Sequence, residues 1–248
     1  MHRLTDVSAA VTIRELGSRD DLEKLLRLFD SVWELRPEAR PMSAELLLAV
    51  SHAGNPVLGA FDDDVLVGAS VAVAGVRDDG LVVLHSHMTG VLPAAQHTGV
   101  GRRLKEAQRR WAAARSIGRI EWTFDPLVRR NGWFNLAVLG VTAAEFLVNF
   151  YGPIADGING DDETDRLVAV WQIDGARTPE PCRPDDVLVP TPHDIVTLRR
   201  TDPGEARRWR LEMRRMLAPR MSDGWIVVGM TAQGEYLLRS HGSHTGVA

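Results

Sequence analysis

The chain has 248 residues, of which 44% are hydrophobic and 25% charged, and its formal net charge is −4. This composition is that of a folded globular protein, the negative charge argues against nucleic acid binding, and no run reaches the roughly 18 apolar residues that a membrane span needs. Cys182 is the single cysteine, which excludes an intramolecular disulfide and favours a reducing compartment. The first ten residues lack the apolar core of a signal peptide. We therefore expect a cytoplasmic protein with neither a nucleic acid nor a membrane as partner.

Hydrophobic periodicity predicts strands and helices in alternation along the first 175 residues. A strand over residues 11–16 precedes a helix that Ser18 or Asp20 can cap, and Ser43 caps a second helix over residues 43–52. The further predicted strands cover residues 56–61, 65–76, 81–88, 120–124, 144–151 and 167–173. A helix begins at Val100 and is closed by Gly118, with Val100, Leu104, Ala107, Trp111 and Ala114 on its buried face, and another helix covers residues 131–139. This order predicts an α/β fold, a mixed sheet with helices on its faces.

The last third of the chain is predicted to be an extension of the main domain. Residues 176–193 are rich in proline and are interpreted as a stiff linker between a domain over residues 1–175 and an extension over residues 194–248. The extension should contain a helix, with an apolar stripe from Ala206 to Leu217, and a hairpin that turns at Gln233 and Gly234. The stripe has to be buried on the main domain or on a second subunit, so a homodimer is a candidate assembly.

A strand, a loop and a helix follow one another over residues 83–111, with Gly99 and Gly101 at the entry of the helix. A helix N-terminus exposes backbone N–H groups and the positive end of the macrodipole, which suits a phosphate. The loop lacks the Lys-Ser/Thr pair of a P-loop and the third glycine of a dinucleotide site. A turn or cap without a ligand is the alternative reading.

This segment resembles the acyl-CoA-binding motif of the GNAT superfamily of N-acyltransferases. The family pattern is an apolar-x-Val-x-Pro stretch, here residues 89–93, followed by Gln/Arg-x-x-Gly-x-Gly/Ala, here residues 96–101. The order of elements over residues 11–174 matches that fold as well. The resemblance implies a GNAT fold with a C-terminal helix–hairpin extension, and acetyl-CoA or succinyl-CoA as acyl donor. The donor-binding residues that it implies are Thr89, Gly90, Val91, Gln96, His97, Thr98, Gly99, Val100, Gly101, Arg102 and Asn131.

His85 and His87 lie two residues apart on the strand before the loop and should share one face of it. Acyl transfer to an amine needs a route for the amine proton, and histidine titrates near neutrality. Arylalkylamine acetyltransferases of the same superfamily carry a His-x-His at this place. We therefore expect His85 and His87 to act as the catalytic base, directly or through water. Hydrogen-bonded structural histidines and a metal-ligand pair are the alternatives, and we expect no metal because no further ligand stands nearby in sequence.

The chain departs from the family where many members have a tyrosine that protonates the leaving thiolate. Leu136 stands at about that place, and Tyr151 is either a substitute acid or a core residue with a satisfied hydroxyl.

The C-terminal extension is rich in arginine. Three readings are open for these side chains: a nucleic acid surface, an exposed amphipathic face, which we favour, and a grip on a substrate carboxylate. The residues concerned are Arg199, Arg200, Arg207, Arg208, Arg210, Arg214, Arg215 and Arg220.

The whole chain resembles a bacterial family of predicted GNAT acyltransferases. The shared patterns are Trp209-Arg210…Arg214 and the strand over residues 224–229. Some members of that family are encoded beside N-acylamino-acid racemases. The resemblance implies transfer of an acetyl or succinyl group from acyl-CoA to a small-molecule primary amine, with an amino acid as a candidate, by direct attack in a ternary complex. A non-catalytic acyl-CoA sensor or interaction module is the alternative.

Overall fold

The computed structural model describes residues 11–152, 154, 162–175 and 181–240. The described residues form two compact units, one up to residue 120 and the other from residue 121 onward. Among them, no helix combines the length and the apolar character that a bilayer crossing requires.

The first unit is a sheet of antiparallel strands with helices on both faces. Its strands are β1 (Thr12–Glu15), β2 (Val57–Asp62), β3 (Val65–Val76) and β4 (Val82–Val91), and its helices are α1 (Arg19–Trp33), α2 (Ala44–His52) and α3 (Val100–Ala113). The strands lie in the order β1-β2-β3-β4. The predicted sequence of elements is confirmed, and β4 continues past its predicted end at Met88 to Val91.

Helices α1 and α2 cover one face of this sheet and α3 covers the other. Ser18 caps α1 by accepting a hydrogen bond from the amide of Asp21, and Ser43 caps α2 in the same way. Leu25 and Phe29 of α1 are buried in the core on their face. On the opposite face Val100 and Leu104 of α3 pack among the buried residues. The helical spacing of these apolar residues is what orients α1 and α3 on the sheet.

The second unit contains the rest of the described elements. Its strands are β5 (Arg119–Phe124, which begins at the end of the first unit), β6 (Thr142–Leu147), β7 (Arg166–Gln172), β8 (Val187–Pro190), β9 (Ile226–Met230) and β10 (Glu235–Arg239), and its helices are α4 (Arg129–Gly132), α5 (Ile195–Thr201) and α6 (Pro203–Ser222). The strands lie in the order β5-β7-β6-β9-β10-β8. The predicted α/β fold with a mixed sheet is confirmed.

Two local predictions in this unit were wrong and one was confirmed. The strand predicted over residues 144–151 ends at Leu147. The helix predicted over residues 131–139 is confirmed as the short α4 followed by a π-helical stretch, Trp133–Val138. Within the segment read as a linker, Val187–Pro190 forms β8, which pairs with β10. Residues 176–180 of that segment and residues 241–248 of the extension lie outside the described residues.

The helix and the hairpin of the extension are built into the second unit. Asp202 caps α6 through the amide of Glu205, and α6 packs on β6. The β9–β10 hairpin turns at Gly234, as predicted, and β9 pairs with β6. The hydroxyl of Tyr236, which is fully buried, donates to the carbonyl of Pro126 at 2.7 Å.

Candidate functional site

The loop between β4 and α3 has the conformation of an open helix N-terminus. Gly99 is the N-cap of α3, with φ at +88°, and it provides no side chain to bond the first amides. His97 also has a positive φ, +65°. A left-handed N-cap is a conformation that glycine adopts without strain, so Gly99 permits the turn that this loop makes.

The amides of this loop form a row of available donors. Among the described residues, no main-chain or side-chain acceptor pairs with the N–H groups from His97 to Arg102, and the first bond of α3 runs from the Arg103 amide to the Gly99 carbonyl at 3.0 Å. His97, Thr98, Gly99 and Arg102 are exposed. Several N–H groups at the positive end of a 14-residue helix are donors of the kind that a phosphate requires.

Two side chains of the loop stabilise the loop itself. The Gln96 side-chain amide donates to the Val91 carbonyl at 3.1 Å, and the Thr98 hydroxyl donates to the Ala95 carbonyl at 2.7 Å. The Gln96 bond closes the loop on the last residue of β4. These two side chains therefore shape the row of amides.

The two histidines lie at an irregularity of β4. Their ring centroids are 5.9 Å apart, so both rings project to the same side of the strand. In the β3–β4 register Val71 pairs with Met88 and Ala72 pairs with Ser86, which leaves His87 as the extra residue of a β-bulge. His87 is exposed, yet the protein around its imidazole disfavours the charged form and lowers its pKa. His85 is half-buried.

A cavity of about 270 Å³ opens beside α1 and α2 on this side of the sheet. Its lining includes Glu23, Leu26, Arg40 and Glu45. A smaller adjoining cavity shares Leu26 and Arg40 with it and is lined also by Met88, the residue after His87. The smaller cavity has a volume of about 10 Å³, which is room for about one water molecule, so only the larger cavity could hold a small molecule.

The sequence did not predict the buried polar residues behind the histidines. Lys105 and Gln108 of α3 bond to Ser86, although Ala107 and Trp111 were predicted on the buried face of that helix. Ala107 and Trp111 are half-buried and Ala114 is exposed. The signal was weak, because only the helical spacing of Leu104, Gln108 and Ala112 marks this face, and a lysine there is ordinarily solvated.

The remaining predicted residues lie in the second unit. Asn131 is an exposed residue of α4 whose amide bonds to the Val128 carbonyl. Leu136 is fully buried. Tyr151 is 41% exposed and its hydroxyl lies 2.9 Å from that of Thr123. Of the two readings given above, the core residue is therefore wrong, although the hydroxyl does have a partner.

The favoured prediction of an exposed arginine face is confirmed for half of the eight arginines and wrong for those that are buried. The exposed ones are Arg200, Arg207, Arg208 and Arg215. Arg210 is buried, and Arg199 and Arg214 join it in a network with the carboxylates next to β5 and β7. The contacts are Arg199 to Asp125 (2.8 Å), Arg210 to Asp162 (2.6 Å) and Glu163 (3.0 Å), and Arg214 to Asp165 (2.7 Å). These guanidinium groups hold carboxylates of the chain itself, whereas Arg208 and Arg215 pair with glutamates on the surface.

No protein-family model matches the chain, and no curated protein matches it. Similar solved structures do exist. Naa50 from Arabidopsis thaliana, in complex with the bisubstrate analogue CoA-Ac-MVNAL, is 17% identical with a TM-score of 0.53, over 65% of this chain and 98% of the other. The ribosomal-protein-S18-alanine N-acetyltransferase from Escherichia coli is 17% identical with a TM-score of 0.52, over 67% and 96%.

A third similar structure is that of yncA from Salmonella typhimurium, solved with its cofactor acetyl-CoA. It is 20% identical with a TM-score of 0.54, over 70% of this chain and all of the other. Identities this low establish a common fold only. The fold of this chain is that of the GNAT acetyltransferases, as the motif over residues 89–101 predicted.

Proposed function

We propose that this protein is an acyl-CoA-dependent N-acyltransferase that moves an acetyl or succinyl group to a primary amine. The observation that carries the proposal is the row of unpaired amides from His97 to Arg102, which begins a helix directly after the strand that bears two imidazoles. An anion site beside titratable rings is the arrangement that a CoA thioester and an incoming amine both need.

The donor is proposed to lie along the end of β4 and across the loop. The amides of His97, Thr98, Gly99, Val100, Gly101 and Arg102 would bind the diphosphate, with the exposed Arg102 side chain beside it. The main chain of Thr89, Gly90 and Val91 would pair with the pantetheine arm. Asn131 stays a proposed donor contact on the family resemblance alone.

The reaction is proposed to be a direct transfer in a ternary complex. The amine nitrogen attacks the thioester carbonyl carbon, the C–N bond forms and the C–S bond breaks, and the CoA thiolate takes a proton from solvent. His87, with His85 beside it, accepts the amine proton directly or through water. The lowered pKa of His87 keeps its ring neutral near pH 7, which is the form that a base requires. Cys182 is an exposed residue of the second unit, and no covalent intermediate is proposed on it.

The acceptor is proposed to be a small molecule that enters through the cavity beside α1 and α2. Its wall carries Glu23 and Glu45 as well as Arg40, and both glutamates pair with arginines, so the lining sets no preference for the charge of the acceptor. An amino acid is our first candidate because of the resemblance to the racemase-associated family. We propose no nucleic acid and no membrane partner, a cytoplasmic location, and a homodimer as the candidate assembly.

A non-catalytic acyl-CoA sensor is the second candidate function. The observation in its favour is that Leu136 is fully buried. It stands at about the place where many members of the resembled family have a tyrosine that protonates the leaving thiolate. A sensor needs the donor site and no route for the thiol proton.

Thiol release separates the two functions. The wild-type protein is mixed with acetyl-CoA or succinyl-CoA and a panel of primary amines that includes amino acids, and the free thiol is measured. The proposal predicts amine-dependent release with at least one pair. Binding of acyl-CoA without release for every amine would support the sensor and contradict the transferase.

A further inference from the structure

A buried chain of hydrogen bonds joins α3 to β4 behind the histidines. The Lys105 ammonium donates to the Ser86 hydroxyl at 2.8 Å, and that hydroxyl donates to the Gln108 side-chain oxygen at 2.8 Å. Lys105 is 4% exposed, Ser86 3% and Gln108 0%. Ser86 is the centre of the chain, because it bonds to both residues of the helix.

Ser86 occupies the position next to the bulge of β4. It precedes His87, the extra residue in the register, and it pairs with Ala72 on β3. Its side chain faces α3, whereas the His85 ring projects to the other side of the strand, since consecutive strand residues alternate. A bulged residue lacks a ladder partner, so its direction depends on how its neighbours are held. Here the neighbour of His87 is Ser86, which forms hydrogen bonds to two side chains of α3.

Lys105 and Gln108 belong to α3, and the N-terminus of the same helix forms part of the proposed donor site. Lys105 lies about one and a half turns after the start of α3 at Val100. A helix is a rigid element over that length. An acyl donor bound at the loop and the strand β4, bonded to Lys105 and Gln108, would therefore both be attached to α3. If the proposed donor site is right, the Ser86 contacts, together with the ladder between β3 and β4, would set the position of His87 relative to the thioester.

Filling this space with the hydrogen-bonded residues Lys105, Ser86 and Gln108 costs free energy. Burial lowers the pKa of Lys105 to about 7, which reflects the cost of removing an ammonium from water. Among the described residues, the Gln108 side-chain nitrogen has no hydrogen-bond partner. Apolar residues can fill such space without these costs, whereas polar contacts add directional specificity.

We propose that Ser86, held by Lys105 and Gln108, is a positioning residue that fixes the bulge of β4 and so directs His87 toward the acyl donor. The catalytic part of this inference rests on the proposed acyl transfer. Its structural part, the direction of the His87 ring, stands on the hydrogen bonds and the register alone.

The test compares Ser86→Ala with Ser70→Ala. Ser70 is a fully buried serine of β3 whose hydroxyl makes no hydrogen bond among the described residues, so its loss is a matched control. Ser86→Ala should lower kcat about tenfold, because small misplacements of a reacting group are costly. The Kd for acetyl-CoA, measured by calorimetry, should be unchanged. Ser70→Ala should retain the wild-type kcat and Kd.

A second measurement reads the strand without any turnover. In NMR spectra of the holoprotein with bound CoA, the imidazole signals of His87 should shift or broaden in Ser86→Ala and match the wild type in Ser70→Ala. If the wild-type protein transfers to no amine, the proposed function has failed, and this comparison decides the positioning role by itself. Identical His87 signals in the two variants, or equal kcat values in an active enzyme, would overturn the inference.

Discussion

Replacing Arg210 with methionine should destabilise the protein strongly. The Arg210 side chain is 4% exposed and bonds to Asp162, whose side chain is 11% exposed, and to Glu163, whose side chain is 43% exposed. Removing one partner of a buried ion pair typically costs 3–5 kcal/mol, since the other charge stays buried. Water can solvate Glu163, and Arg199 also lies 3.5 Å from Asp162, so the loss should be near the lower limit, about 3 kcal/mol. For a chain of this size that lowers Tm by about 6–12 °C.

Arg215→Met on the same helix is the control. Arg215 pairs with Glu212, and their side chains are 71% and 49% exposed. Surface pairs of this kind contribute little, and both arginines are exchanged for the same good helix former, so Tm should not change resolvably. Thermal unfolding followed by circular dichroism measures both variants. Equal Tm shifts would refute the expectation that the buried ion pairs of Arg210 stabilise the fold more than a surface pair does.

Three further changes test the site and the fold. His87→Ala should lower kcat about a hundredfold and remove the acid limb of the pH profile of kcat/KM. Because the pKa of His87 is lowered, the acid limb of the wild-type profile should lie below the ordinary histidine pKa of 6.5, and a wild-type limb above that value would contradict the assignment. Gly99→Ala should weaken acetyl-CoA binding in calorimetry. Gly54→Ala, at a similar φ of +82°, should cost a similar stability of about 1 kcal/mol and leave binding unchanged. Equal affinities of the two variants for acetyl-CoA would contradict the proposal that this loop binds the donor. Gly132→Ala places a methyl group 2.8 Å from the hydroxyl of Tyr236, which is fully buried. Urea unfolding should therefore show a net loss of about 1–2 kcal/mol in the free energy of unfolding, and no loss would mean that the Tyr236 ring can move.

The part of the fold that is encoded locally was predictable from the sequence. Ser18 and Ser43 cap helices where their spacing predicted caps, and Gly99 lies at the start of α3. Each of these features depends on a few consecutive residues and their backbone preferences. The motif over residues 89–101 also predicted the fold that the solved structures share.

Features that depend on distant residues were not predictable. Arg210 and Asp162 are 48 positions apart, so nothing local marks that arginine as buried. The strand β8 has four residues in a segment rich in proline, and only its pairing with β10 forms it. The bulge at His87 arises from the register with β3, which a single strand does not reveal.

The central claim is that the amides from His97 to Arg102 bind the diphosphate of an acyl-CoA. An amide NMR titration with acetyl-CoA, and a parallel titration with S-acetylpantetheine, which lacks the diphosphate, test it most directly. The claim predicts saturable shifts of these amides with acetyl-CoA, and much weaker binding that leaves them unshifted with the fragment. Absence of binding by any CoA compound, or shifts confined to another part of the protein, would contradict it.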